Sequence, residues 1–435
     1  MEFPFFLGIE RGHMSEKKLL LDVHERPQPS QWALLSIQHV FAMFGATILV
    51  PILTGLPVSV ALFASGVGTI AYMFCTKFKV PVYLGSSFAY ITAVNFAKDA
   101  LGGNPSAAQT GLFLIGLIYI AVALVIKVIG KGWIDKLLPP IVIGPMIAII
   151  GLGLAANAVQ NAGFTVDGDM RVMLVAFATF IITALVSTRA KGFFQIIPFL
   201  CGVAGGYLVA CLVGIVDFAP IAEAKWIAWP DFILPIKIGN FDTFQFYFGP
   251  ETFAILPIAL VTISEHIGDH TVLGKICGKN FLQDPGLDAT LIGDGLATSI
   301  SALLGGPANT TYGENTGVVG LTKVASVYVT GGAAVIAILL SFCGKIAALI
   351  TTIPNAVLGG MCILLYGVIA SNGLQVLVDS KVDFGKKRNV IIASAMLVIG
   401  LGGAVFQLGQ LVTVSVTALS AVVGIVLNLI LPQNE

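Results

Sequence analysis

Three acidic side chains interrupt long apolar runs: Glu265 and Asp269, four residues apart, and Glu314 in the stretch NTTYGENTG. On a helix, four-residue spacing puts Glu265 and Asp269 on one face. A carboxyl removed from water costs several kcal/mol unless it pairs, protonates or meets a ligand, so acids at membrane depth mark a pathway or a site. A structural acid held by a partner is the alternative for each of the three. No basic residue in these spans is placed as a permanent counter-ion, which makes protonation the cheaper solution. Proton coupling through Asp269, Glu265 and Glu314 follows. Asp294, between Gly293 and Gly295, admits either reading.

These acids must be positioned by membrane-spanning elements. Of 435 residues 57% are hydrophobic and 11% charged, against about 25% charged in soluble proteins, and mean hydropathy is +0.94. The 23 basic and 23 acidic residues cancel, which argues against nucleic-acid binding and polybasic attachment to a membrane surface. One polytopic domain embedded in the lipid bilayer is expected. The six cysteines are scattered without a CxxC pair or nearby histidines, so neither a disulfide framework nor a metal site is expected, and no cofactor. Met1 to His13 lacks the order of a secretory signal. Met14 followed by SEKK reads as a native start, and residues 1–13 are left out of the functional reading.

At about 20 apolar residues per crossing, fourteen spans are expected: 32–53, 57–76, 84–98, 109–130, 138–160, 171–188, 194–216, 249–272, 285–304, 311–324, 326–350, 353–371, 388–405 and 412–431. Twelve is the alternative count if closely spaced pairs fuse. With both termini cytoplasmic, this map puts every lysine and arginine on the inner side except Lys98, Arg171, Lys225, Lys237 and Lys345, as positive-inside bias requires. Residues 217–248, with Trp226, Trp229, Phe241, Phe244 and Phe246, form an extracellular connection along the outer surface. It separates two sets of seven spans. An odd number per half makes the second set enter from the opposite side, an inverted 7+7 repeat.

Spans three and ten are short and broken in corresponding places, the first by Pro81, Gly85, Ser86, Ser87 and Phe88, the second by Gly305, Gly306, Pro307, Gly313 and Asn315. Harmless kinks are the bland alternative; backbone freed at membrane depth is tolerated where protein or ligand satisfies it. Gln38-His39 in span one matches Glu265-His266 in span eight, and the offset from Gln38 to Ser87 equals that from Glu265 to Glu314, 49 residues. Both histidines read as hydrogen-bonded helix residues standing alone in their spans. No nucleotide loop, HExxH helix or GxSxG elbow is present, so an enzyme is not expected.

The segments YLGSSFAY at 83–90, SEHIGD at 264–269 and NTTYGENTGVVGLTKV at 309–324 resemble the nucleobase–ascorbate transporter family, and most nearly its bacterial uracil-carrying members. The family signature, N-x-G-x-x-x-x-T-[RK] after an acid or amide, is met by Glu314, Asn315, Gly317, Thr322 and Lys323. The resemblance covers nearly everything after residue 30. It implies an all-α membrane protein with a short strand in each broken span. It also implies a core domain of spans one to four (31–130) and eight to eleven (249–351), and a gate domain of spans five to seven (131–216) and twelve to fourteen (352–435). Residues 1–30 would be a cytoplasmic tail. Carried over by motif, uracil would meet Glu265 and Glu314, with Phe88 flanking the ring and Gly313, Tyr312, Ala46 and Tyr366 lining the pocket. Gln38, His39, Ser86, Ser87, His266 and Asn315 would support them. Asp269 stands where the uracil carriers have histidine, which leaves the proton role there to an acid. The implied activity is proton-coupled uracil uptake across the cell membrane by alternating access, with a homodimer through the gate. Xanthine or purine symport, and a channel or anion exchanger on the same repeat, are the alternatives.

Overall fold

A computed structural model describes residues 19–195, 197–403, 406–408, 412–414 and 416–432. The supposed non-native stretch 1–13 therefore lies outside the described residues. Helices of ten residues or more, with shorter ones left unlabelled, are α1 (Pro29–Thr54), α2 (Val58–Cys75), α3 (Ile91–Ala100), α4 (Ser106–Ile129), α5 (Pro140–Gly153), α6 (Met170–Arg189), α7 (Pro198–Val213), α8 (Ile258–Cys277), α9 (Leu287–Leu303), α10 (Gly313–Thr322), α11 (Val327–Ser341), α12 (Asn355–Asp379), α13 (Lys387–Leu401) and α14 (Val416–Ile430). Among the described residues, seven helical stretches are long and apolar enough to cross a membrane, and three shorter apolar helices accompany them. This is a multi-pass membrane protein. The sequence expectation of a helix from 412 fails at its start, because Val412–Val414 pairs as a strand with Phe406–Leu408.

The helices pack in two sets. In one, α9 lies against α2 and α4, and α11 against α1 and α2; in the other, α12 lies against α5 and α6, α6 against α7, and α13 against α5 and α14. Lipid gives little hydrophobic drive between helices, so close backbone approach carries the packing. At Gly116 of α4 an added Cβ would overlap Ser299 and the Gly295 carbonyl of α9, and at Gly373 of α12 it would overlap the backbone of α5.

Between α2 and α3 runs β1 (Leu84–Ser86), and between α9 and α10 runs β2 (Asn309–Thr311). They pair antiparallel, Leu84 opposite Thr311 and Ser86 opposite Asn309, and all six residues are buried. Thr311 lies 227 residues after Leu84, the same interval that separates Gln38 from Glu265 and Ser87 from Glu314. Each half thus contributes the same residue position to the central pair, as a two-fold axis through it demands.

A two-stranded ribbon leaves its outer backbone groups open, which a membrane interior does not tolerate. Flanking helices close them. Thr69 of α2 accepts from the Leu84 amide at 3.0 Å, and Thr298 of α9 donates to the Asn309 carbonyl at 2.6 Å. Asn309 reaches across to the Ala64 carbonyl of α2 at 2.9 Å. The Tyr312 hydroxyl donates to the Ser86 carbonyl at 2.9 Å and accepts from Thr47 of α1 at 3.1 Å. Gly85 is required here, because any Cβ would overlap the Tyr312 ring.

Two of the lysines that break the charge bias cap helix ends. The Lys98 ammonium binds the Thr54 and Gly55 carbonyls at the C-terminus of α1, and Lys345 binds those of Ile221 and Ala222. A cation suits the negative end of a helix. The 217–248 connection is only partly a surface layer: Trp226 and Trp229 are exposed, whereas Phe232 and Phe244 are buried and Ile233 bonds to Leu304 after α9. At the other end of the set, residues 20–25 strap across the chain after α10, with Leu20 bonded to Lys323, and Ala325 and Val327 bonded to Leu21 and Val23. Lys279, beyond α8, binds Asp22 at 2.7 Å and holds its carboxyl below the usual range.

The threonine contacts yield a test of the ribbon. Thr69→Val leaves the Leu84 amide unpaired and should destabilise the fold by about 1–3 kcal/mol, read as a lowered melting temperature in detergent, while Thr69→Ser should retain wild-type stability. A Thr69→Val protein that melts like wild type would mean the amide has another acceptor.

Candidate functional site

The ribbon ends where two half-helices begin. β1 leads through a 3-10 turn, Phe88–Tyr90, into α3, and β2 leads through Tyr312 into α10. The first amides of α10 have no intrahelical acceptor, whereas the Ile91 amide of α3 bonds to the Phe88 carbonyl, so N–H groups are presented at the start of α10 and at the start of the turn. Gly313, the first residue of α10, is exposed, and a Cβ there would meet nothing nearer than an Asp269 oxygen at 3.9 Å. Glu314 follows in the first turn, where a negative charge is favoured.

Glu314, Phe88 and Ala46 line one cleft between the two helix sets. Its far wall is Ile197, Pro198, Phe199 and Leu200 at the start of α7, with Met361 and Leu365 of α12. Phe41, Ala42, Gly45 and Leu49 complete the α1 side. Glu265 stands on the middle of α8 and keeps accessible surface, although Ser264 and His266 beside it are buried. It lies close enough to feel the charges of Glu314 and Asp294. Asp269, one turn on, accepts from Thr311 of β2 at 3.0 Å. The three acids predicted from spacing are thus gathered around one end of the ribbon.

The other expected residues take different stations. Tyr312 is a buried strut between β1 and α1, as described, and does not line the cleft; Tyr366 is buried in the cluster of Leu49, Ile91 and Met361 against which Phe88 packs. Ser86 and Ser87 are buried in the ribbon, the Ser87 amide bonded to the Ala308 carbonyl at 2.9 Å. Asn315 donates to His39 at both its ring nitrogen, 3.0 Å, and its carbonyl, 3.1 Å, which ties α10 to α1. The Gln38 side-chain amide oxygen, Oε1, is buried without a hydrogen-bond partner.

The expectation that the intramembrane acids lack a basic neighbour needs correction for Asp294. His266 Nδ1 lies 2.7 Å from its carboxyl, and His266 Nε2 lies 2.9 Å from Thr290. Thr290 donates to the Leu287 carbonyl, so Nε2–H donates to Thr290, and one further proton shared between Asp294 and Nδ1 leaves the pair neutral. Nor does His266 stand alone in its span: the His270 ring lies 3.9 Å from it, donates to the His266 carbonyl and accepts from Tyr72 of α2. Sequence reasoning missed Tyr72, His270 and Thr290, and also the apolar far wall, whose residues have no contrast in so apolar a chain. Among the described residues no group of histidines, cysteines and acids is arranged to hold a metal.

A family model described as "Permease family" matches residues 30–430. The uracil permease of Bacillus caldolyticus is 53% identical, with 95% of each chain covered. That of Bacillus subtilis is 49% identical, with 97% of each covered, and that of Escherichia coli K12 is 43% identical, covering 94% of this chain and 93% of its own. Among solved structures, the transmembrane domain of the cyanobacterial bicarbonate transporter BicA aligns with a TM-score of 0.61 at 16% identity, over 94% of this chain and 99% of that one. The murine anion transporter Slc26a9 aligns at 0.66 and 12% identity, over 93% and 68%. These two share the fold.

His266→Leu would strip Asp294 of its hydrogen-bonded side-chain partner. We expect a loss of about 2 kcal/mol or more, measured as a drop in melting temperature without ligand. An unchanged melt would show that another group satisfies Asp294.

Proposed function

Because this chain belongs to the nucleobase–ascorbate family of permeases, we propose that it is a proton-coupled symporter that imports uracil by alternating access. The observation that carries the reading is the placement of Glu314 and Phe88 in one cleft at the end of the ribbon, with Glu265 close by. Uracil offers two N–H donors, two carbonyl acceptors and a flat ring. Carboxylates accept from the first, open amides at the start of α10 and of the Phe88–Tyr90 turn suit the second, and Phe88 offers a face for the third. The relatives named as uracil permeases support the same substrate.

In this reading fourteen spans form the 7+7 inverted repeat, with both termini in the cytoplasm. The set containing α1 to α4 and α8 to α11 is the core, which holds the base. The set containing α5 to α7 and α12 to α14 is the gate, which supplies the apolar far wall and pairs two copies. Movement of gate against core exposes the cleft to each side in turn. Glu265, Asp269 and Glu314 carry the proton, because acids that lose water when the site closes and regain it on opening change protonation. Glu314, an acid where purine carriers commonly have an amide, favours uracil over xanthine. It also opposes anion exchange on this fold, since it places negative charge at the helix start that would attract an anion.

Labelled-uracil binding to purified protein tests the assignment. Glu265→Gln and Glu314→Gln each replace a charged acceptor with a group presenting an unwanted donor, and affinity should fall about 10- to 100-fold. Wild-type affinity in either variant would remove that residue from the site, and displacement by xanthine as readily as by uracil would overturn the choice of base. Asp269→Asn should bind uracil yet lose accumulation that collapses with a proton ionophore; undiminished accumulation would reject its coupling role.

A further inference from the structure

The residue that flanks the ring and the acid that receives its N–H groups stand on different elements, Phe88 on the turn before α3 and Glu265 on α8. One side-chain bond joins those elements at that level. The Tyr90 hydroxyl, two residues after Phe88, lies 2.7 Å from the Thr262 hydroxyl, three residues before Glu265. Both side chains are buried. Thr262 also lies 3.3 Å from the Ile258 and Ala259 carbonyls of its own helix. Either hydroxyl of the Tyr90–Thr262 pair can be the donor. The hydroxyl of Tyr119 on α4 stands close to the same pair, buried and without a hydrogen bond of normal geometry.

We propose that Tyr90 and Thr262 are positioning residues for nucleobase binding, their bond setting the separation and the helix rotation at which Phe88 and Glu265 meet the base. The inference rests on the assignment of Phe88 and Glu265 to the substrate. Three features separate it from ordinary packing. The bond links the two halves of the chain beside the two groups that must grip one small molecule. Thr262 shares its turn of helix with Glu265, so a rotation of α8 moves both. Thr262 has backbone carbonyls to bind when Tyr90 is lost, so removing the tyrosine hydroxyl leaves no donor of α8 stranded. The opposite side of the site has a counterpart in the Asn315 bonds to His39, which fix α10, and with it Glu314, against α1.

Tyr90→Phe, Thr262→Val and Thr262→Ser, with the Tyr90→Phe/Thr262→Val double variant, test the idea in the full-length protein with uracil and xanthine as probes. For whichever base the wild type binds, Tyr90→Phe and Thr262→Val should each weaken binding roughly five- to tenfold. KM for uptake should rise by the same factor at unchanged maximal rate. Thr262→Ser should bind like wild type. The double variant should be no weaker than the worse single, because both substitutions remove one interaction. Wild-type affinity in either single variant, or losses that multiply in the double, would overturn the proposal, as would an affinity loss in Thr262→Ser equal to that of Thr262→Val. Binding of xanthine in place of uracil would overturn the substrate assignment alone, since the same comparison can then be made with xanthine.

Discussion

Everything in this protein is arranged around six residues of extended backbone buried where a helix would be expected. A helix satisfies its own amides and carbonyls; a strand inside a membrane cannot, and must find a partner. Leu84–Ser86 and Asn309–Thr311 find each other, and the threonines of α2 and α9 take up what the ribbon leaves open. The consequence is a pair of half-helices that start inside the molecule. Their first amides, which a continuous helix would have consumed, are available to a ligand. Two chain halves meeting on an axis are thus what creates a polar site in a chain that is 57% hydrophobic.

The acids around this ribbon divide by what satisfies them. Asp294 is closed off: His266 and Thr290 form a neutral, buried chain with it, and Tyr72 and His270 extend the polar network toward α2. Asp269 is intermediate, with one hydroxyl from Thr311. Glu265 keeps accessible surface within a packed helix, and Glu314 opens on the cleft. A carboxyl left facing space amid apolar walls is poised for a partner from outside, and that contrast argues for substrate recognition more strongly than the mere presence of an acid in a span.

Much of this was legible in the residues. Short, matched interruptions around Gly85 and Gly313 located the two broken spans, and the family resemblance supplied the expectation of a strand in each. The equal 49-residue offsets from Gln38 to Ser87 and from Glu265 to Glu314 marked the repeat, whereas the register of Leu84 against Thr311 came only with the structure. What could not be read depended on distance in space. The glycines around Asp294 set it apart from Glu265 without showing what pairs with it, since the pairing depends on how α8 and α9 face each other. Tyr312 looked like a pocket residue by motif and is a strut, because its hydroxyl reaches Ser86 and Thr47 on other elements. Tyr90 and Thr262 gave no signal at all. Each is an ordinary residue until their hydroxyls meet across 172 positions of sequence.

The most direct examination of this account is an experimental structure of the protein with uracil bound. The base should lie against the Phe88 ring at the end of the ribbon, with its two N–H groups within hydrogen-bond distance of the Glu265 and Glu314 carboxyls and a carbonyl on the first amides of α10. Density for uracil elsewhere, with both carboxyls turned away from it or bound to protein partners, would contradict the central claim.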